Sequence, residues 1–434
     1  MDIGVIEKYI EDNIEKTLKE PHGFIRYPFI DPGSVYEGNV WDWDSFWCVY
    51  GLLPRLDRMR GGALKDKILL HAMGNVRNFL DWQLPDGYIP MMIEVGEWPE
   101  PYLNMRHKQG RLMNMHKPFL CQQIALISEY TGDWEWILES GSTEQIARYF
   151  ACYRSHYYKE HCGLYVWRDD IMIGMDNDPA SFGRPASSTA NIYLNSFMVM
   201  ELEAAEKLYL HAERKAEAGG DRETARLERA RVRETKAHKE ALISAIHTEM
   251  YDRRDGFFYS QDVDIRTRRY DWFHQGLGVF WKTLPIRIAV WSGFLPMLAG
   301  FATSKEAESL RQWYRRKEAF GTEYGITTLD RREKMYCVAA TNNPSNWLGP
   351  VWIVANYCVF RGMLNYGFVE EAEEICAGTV KLLVRDLREH GCLHEYYDPA
   401  DGKPVMNGGF LNWNILALNM AEELEAAAAK VTSA

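Results

Sequence analysis

The most restrictive feature of this chain is its rhythm. Apolar residues recur three and four apart in about a dozen segments, and strand-like alternation is rare. The spacing predicts helices over residues 3–19, 43–58, 64–83, 116–131, 142–157, 190–215 and 222–248. It predicts further helices over 275–283, 286–301, 304–316, 347–365, 369–389 and 410–428. Thr131-Gly132-Asp133, Pro344-Ser345 and Gly367 punctuate them. Alternate helices are separated by longer connections rich in aromatic residues, Asp and Asn, at 20–42, 84–115, 159–189, 249–274, 317–346 and 390–409. Short links alternating with long ones are expected when helix hairpins stand in a ring and the long loops gather at one end. The fold class expected is therefore all-α, an (α/α)6 barrel of six inner and six outer helices with a funnel at the loop end. A solenoid would need a fixed repeat of about 34 to 47 residues, and none is present.

At 434 residues the chain exceeds the usual size of one compact core. Its 17 Pro are scattered and no low-complexity linker divides it, so a single domain over residues 1–434 is expected. Residues 200–248, broken at Gly219-Gly220, read as a solvated helix pair whose charges are i,i+4 partners. The net charge of -11, with no concentrated basic face, argues against nucleic acid or an anionic membrane as partner. The N-terminus lacks the pattern of a secretory signal, and no apolar run approaches the roughly 18 to 20 residues that span a bilayer. The 8 Cys are widely spaced and read as reduced thiols, so a cytoplasmic location is expected. No CxxC, HExxH, GxGxxG or P-loop pattern occurs, so neither a metal nor another cofactor is expected. The partner expected is a small molecule, and the exposed helix faces leave room for a homo-oligomer.

Aromatic residues make up 13% of the chain, with 15 Trp and 24 Tyr, many beside Asp, Asn, Gln or Glu. Such pairs suit sugars, whose C–H faces stack on rings while their hydroxyls need donors and acceptors. Large helical proteins also use aromatics as core filler. Three loops combine carboxylates with aromatics and glycine: residues 36–47, 163–179 and 391–413. In the second, Asp176 follows Gly174-Met175, a setting that desolvates a carboxyl and keeps it protonated, as a general acid requires. Asp169, Asp170 and Asp178 compete with it, since Asp also caps turns. In the third, Glu395 precedes the turn Asp398-Pro399-Ala400-Asp401-Gly402, which would hold a water-activating base rigidly. A structural Glu that pairs with Arg or caps a helix is the other reading.

Taken in order, WDSF at 43–46, DGYIP at 86–90, Lys117-Pro118, Gly174-Met175-Asp176, GPVW at 349–352 and HEYYDP at 394–399 resemble glycoside hydrolase family 63. That family includes mannosylglycerate and glucosylglycerate hydrolases, and trehalases are more distant kin. The resemblance covers most of the chain and implies an (α/α)6 barrel acting on a small α-glucoside or α-mannoside. It implies Asp176 as general acid and Glu395 as general base of an inverting hydrolysis. Carboxyls in that role stand about 6.5 to 9.5 Å apart, against about 5 to 5.5 Å in retaining enzymes. It further implies Tyr36, Trp41, Trp43 and Asp44 around the cleaved sugar, with Tyr88, Trp347 and Trp352 at aromatic positions of the pocket.

Two departures concern the substrate. His116-Lys117-Pro118-Phe119 stands where the family commonly has Gln before Pro-Pro, and Asn346-Trp347-Leu348-Gly349-Pro350 where it often has Tyr-Trp-Arg-Gly-Pro. Lys117 in the pocket would neutralise an acidic aglycone such as glycerate, whereas at a helix start it would point outward. Two other function classes compete. A sugar 2-epimerase on a helical toroid would use paired histidines, with His116, His274 and His394 as candidates. A non-catalytic carbohydrate-binding protein would need no acid and base.

Overall fold

A computed structural model describes residues 2–59, 62–94, 112–139, 141–264, 281–339 and 345–433. Twelve helices organise it: α1 (Ile3–Asn13), α2 (Asp42–Leu52), α3 (Gly62–Asp81), α4 (Leu120–Thr131), α5 (Ser142–His156) and α6 (Ile192–Ala218), then α7 (Arg222–Ala245), α8 (Leu295–Leu298), α9 (Ser304–Arg315), α10 (Ile353–Asn365), α11 (Val369–His390) and α12 (Leu416–Ser433). The even-numbered helices pack in sequence, α2 on α4, α4 on α6, α6 on α8, α8 on α10 and α10 on α12, and α12 returns to α2. The ring closes, and the odd-numbered helices lie outside it. The fold is an (α/α)6 barrel.

Inner and outer helices differ in sequence for a physical reason. Inner helices are covered on all sides, so α10 buries ten of its thirteen residues, whereas an outer helix buries one stripe. In α9 that stripe is Ala307, Leu310, Trp313 and Tyr314; a Thr303/Glu306 capping box starts the helix, and Arg311 and Arg315 bind Glu371 of α11. The α6–α7 pair is the most solvated, as expected. Its charges, however, pair largely between helices, Arg229 with Glu213 and Lys239 with Glu206, rather than along them. The short strands pair as small antiparallel ribbons among the loops.

Several helix boundaries differ from expectation, and proline accounts for most of them. Pro118 disfavours helix at Lys117, so α4 begins at Leu120 and not at residue 116. Residues 347–352 are not helical, with Val351 paired to Tyr397, and α10 begins at Ile353. Residues 286–290 are also non-helical; a 3-10 turn spans Trp291–Phe294, and Pro296 sits in the first turn of the four-residue α8. Of the helix expected over 275–283, residues 281–283 are not helical and the rest lies outside the described residues. All eight cysteines are unpaired. No helix among the described residues is long and apolar enough to cross a membrane.

Candidate active site

The loops that precede the inner helices meet over the barrel mouth and enclose a pocket of about 130 Å3. Its wall consists of Tyr36, Trp41, Asp42, Trp43, Asp44, Lys117, Met172, Gly174, Asp176, Ser345, Trp352, Glu395 and Trp413. It is small beside the roughly 300 to 1,000 Å3 of drug-sized ligand sites, which suits one sugar ring better than a polymer.

The loop over residues 163–191 contains four aspartates that the sequence leaves as alternatives, and the structure separates them. Asp169 accepts from the Asn114 amide and from the Ile171 backbone N–H, and Asp170 from the Gly183 N–H. Asp178 is buried and ties its own turn together, accepting from Ala180 N–H, Ser181 Oγ and Asn191 Nδ2. Only Asp176 reaches the pocket wall. Burial raises its carboxyl above the usual range, while a hydrogen bond from Ser345 and the nearby Lys117 charge oppose the rise. Gly174 makes this placement possible: its φ is 93°, and a Cβ there would lie 3.2 Å from the Tyr193 hydroxyl and 3.3 Å from Lys117 Cε.

Glu395 reaches the same wall from another loop, at the start of a hairpin that pairs Tyr396–Tyr397 with Pro404–Met406. The expected corner is present, with Gly402 N–H donating to Asp398 O at 2.8 Å and Asp398 N–H to Lys403 O at 2.9 Å. Glu395 is 2% exposed. Its carboxylate accepts from Tyr36 Oη at 3.1 Å and from Asn407 Nδ2. Asn407 adopts φ 53°, a conformation uncommon outside glycine, and in it the amide reaches Glu395. Burial pushes the Glu395 carboxyl up to about 7; the Asn407 and Tyr36 donors pull it down, and the Asp176 charge adds to the rise. Tyr36 is itself positioned by its loop: Asp31 accepts from Gly33 and Gly38 N–H, and Ser34 Oγ donates to Gly408 O.

The same wall holds Asp44 and the Asp42–Lys117 pair. Asp44 accepts from Asn412 Nδ2 at 2.6 Å, and burial pushes its carboxyl up to about 8 against the pull of Lys117. Lys117 faces the pocket, yet its charge is already answered: Nζ donates to Asp42 Oδ1 at 2.7 Å, and its own backbone N–H donates to Asp42 Oδ2 at 2.7 Å. Both partners are almost wholly buried.

Two expected wall residues lie behind the surface. Tyr88 is fully buried, its hydroxyl donating to Asn114 O at 3.0 Å. Trp347 is covered by Trp352, with the rings stacked at 4.0 Å, and its Nε1 donates to Ser345 Oγ at 3.0 Å. Tyr36, Trp41, Trp43, Asp44, Lys117 and Trp352 are in the wall. Asp42, Ser345, Trp413 and Asn407 are additions that the sequence reading does not name. Asp42 belongs to the aromatic–acidic run over 36–47, and Asn407 precedes Gly408-Gly409 in the third loop, so both carry a signal. Ser345 and Trp413 carry none beyond their loops.

No histidine among the described residues lines this pocket. His116 is buried with Nδ1 2.7 Å from Lys117 O, and His394 is engaged by Asp386. His274 lies outside the described residues. One group among the described residues, Asp86, Cys152 and His156, brings three possible metal-ligand atoms within 4.8 Å of one another, away from the pocket.

A closed ring of helix pairs with carboxylates and indoles converging in its mouth defines a carbohydrate-active helical barrel. A family model described as the mannosylglycerate hydrolase MGH1-like glycoside hydrolase domain matches residues 38–413, and the chain belongs to that family. Mannosylglycerate hydrolase MGH1 of Selaginella moellendorffii is 30% identical over 122 residues, which is 28% of this chain and 22% of that protein. The aligned stretch thus spans about a fifth of the curated relative's length. Among solved structures, the GH63 mannosylglycerate hydrolase of Thermus thermophilus in complex with glucose superposes with a TM-score of 0.64 at 18% identity, covering 95% of this chain and 98% of that one. Neutral trehalase Nth1 of Saccharomyces cerevisiae gives 0.55 at 14% identity, covering 93% and 75%. These structural likenesses carry the fold.

Proposed function

We propose that this chain is an inverting α-glycosidase whose substrate is a small α-mannoside or α-glucoside, with mannosylglycerate and glucosylglycerate the leading candidates. The observation that carries the reading is the pair Asp176 and Glu395, held by different loops in the wall of one small pocket that also presents Trp41, Trp43, Trp352 and Trp413. Indole faces suit the C–H surface of a sugar ring, and Asp44 suits its hydroxyls. The relatives' printed activities support the choice of aglycone.

Asp176 is the acid. Burial favours its protonated form, and it gives that proton to the glycosidic oxygen as the bond to the anomeric carbon breaks. Glu395 is the base. Two donors, Tyr36 Oη and Asn407 Nδ2, favour its ionised form, which takes a proton from the water that attacks the opposite face of the sugar. Because Lys117 is committed to Asp42 at 2.7 Å, with both side chains almost wholly buried, its charge is answered within the wall and leaves little for an acidic aglycone. The whole chain acts as one catalytic domain, since the wall draws on residues from Tyr36 to Trp413. A reducing, cytoplasmic setting accords with the eight unpaired cysteines.

The test is hydrolysis of mannosylglycerate, glucosylglycerate, trehalose and simple gluco-disaccharides by the wild type, Asp176→Asn and Glu395→Gln. Glyceroside cleavage reduced at least roughly a thousandfold in both variants is expected. Wild-type turnover in either variant would reject the carboxylate pair.

A further inference from the structure

We propose that Asp386, on outer helix α11 and outside the pocket, is a positioning residue that fixes the Glu395 arm through the residues flanking that glutamate. The proposal rests on the reading of Glu395 as the base. Asp386 is 2% exposed, a costly place for a carboxylate unless donors surround it. Four groups do so. Oδ2 accepts from the His394 backbone N–H at 3.1 Å and from the Tyr397 hydroxyl at 2.8 Å, and His394 Nδ1 lies 2.9 Å from the same oxygen. His390 Nδ1, one turn further along α11, lies 3.0 Å from Oδ1.

Three of the four contacts therefore reach the arm, and they bracket the residues that matter, because His394 and Tyr397 stand on either side of Glu395-Tyr396. Other bonds secure the same arm more locally. Tyr397 exchanges backbone bonds with Val351, and Asn414 Nδ2 donates to His394 O at 2.9 Å. Asp386 is the group that ties both flanks to one rigid helix. From α1, Tyr9 faces this cluster, hydrogen-bonded to the backbone of Leu393, with Cys392 beside it. Freed of the clamp, the arm would shift the Glu395 carboxylate relative to Tyr36 and Asn407 and admit water to it. A displacement of about 1 Å at a reacting group can cost a hundredfold in rate.

The experiment compares full-length Asp386→Asn, Tyr397→Phe and His390→Ala with Glu395→Gln, recording kcat, KM, the pH profile and the thermal midpoint of each. We expect Asp386→Asn to lower kcat roughly 10- to 100-fold with KM little changed. Its acid limb should move by roughly half a unit or more, downward where admitted water relieves the burial that is the main cause of the raised Glu395 value, upward where the loss of the Tyr36 and Asn407 donors outweighs it. Tyr397→Phe should move both readouts the same way by less, and it loses only one hydroxyl, so it remains informative if Asp386→Asn folds poorly. His390→Ala, which takes no bond from the arm, should keep kcat within about twofold. Wild-type kcat and acid limb in folded Asp386→Asn and Tyr397→Phe would overturn the proposal, as would a fall in kcat with an unmoved limb. In both cases an inactive Glu395→Gln would leave the base assignment standing. Full activity in Glu395→Gln would overturn the base assignment and the clamp with it.

Discussion

Replacing Tyr36 by Phe removes one hydroxyl and leaves the aromatic wall in place, so it isolates the donor that faces Glu395. In the wild type that hydroxyl lies 3.1 Å from Oε1 and 3.4 Å from Oε2. A hydrogen bond to a charged group contributes about 1.5 to 3 kcal/mol. Tyr36 is half-buried and Asn407 remains to donate, so the lower figure, about 1.5 kcal/mol, applies. At about 1.36 kcal/mol per pKa unit, losing it destabilises the ionised form by roughly one unit. The sign is upward: the lost donor favoured the carboxylate, so the base titrates near 8 instead of about 7. The base must be ionised to work, so kcat/KM should fall roughly tenfold at pH 6 and less than about twofold at pH 9. The assay is the pH profile of kcat/KM for Tyr36→Phe and wild type on the preferred glycoside. An acid limb that stays in place or moves down would refute the view that Tyr36 holds the base in its ionised form.

Three further outcomes follow from the same geometry. Lys117→Met should lower stability by about 3 to 5 kcal/mol, read by thermal or denaturant unfolding, because it strands the buried Asp42 carboxylate. Where that variant still folds, its basic limb should move to higher pH, since the Lys117 charge now lowers Asp176. Gly174→Ala should cost about 1 to 2 kcal/mol for its positive φ and lower kcat roughly tenfold as Asp176 shifts, seen by comparing unfolding with steady-state rates. Asp178→Ala should lower stability by about 1 to 3 kcal/mol through its orphaned donors, whereas Asp170→Ala should keep kcat within about threefold.

Much of this architecture could be read from the chain because the inner and outer helices carry different patterns: α10 is predominantly apolar and buries ten of its thirteen residues, whereas α9 and α7 are amphipathic or solvated. What misled was apolar spacing without regard to proline. Residues 286–301 have helical periodicity, yet Val290 bridges to Leu329, Pro296 stands in the first turn of α8, and Gly300, at φ 74°, follows its end two residues on. The site divides in the same way. Asp176 and Glu395 stood out by their loops, but the Gly174-Met175 setting alone did not exclude Asp178; the fold shows that Asp178 is spent on its own turn. Likewise Tyr88 and Trp347 look like wall residues in sequence, and packing places them one layer back. Lys117 read as a free cation because its partner, Asp42, lies 75 positions away.

The stereochemistry of cleavage separates an acid–base pair from a nucleophilic one. Hydrolysis of an α-mannosyl or α-glucosyl glycerate should be followed by proton NMR from the first minutes, before the released sugar mutarotates. An acid at Asp176 and a water-activating base at Glu395 predict that the β-anomer appears first and equilibrates toward the α-anomer afterwards. Initial release of the α-anomer would mean that the carboxylates act through a glycosyl-enzyme intermediate, and the roles assigned to Asp176 and Glu395 would be wrong.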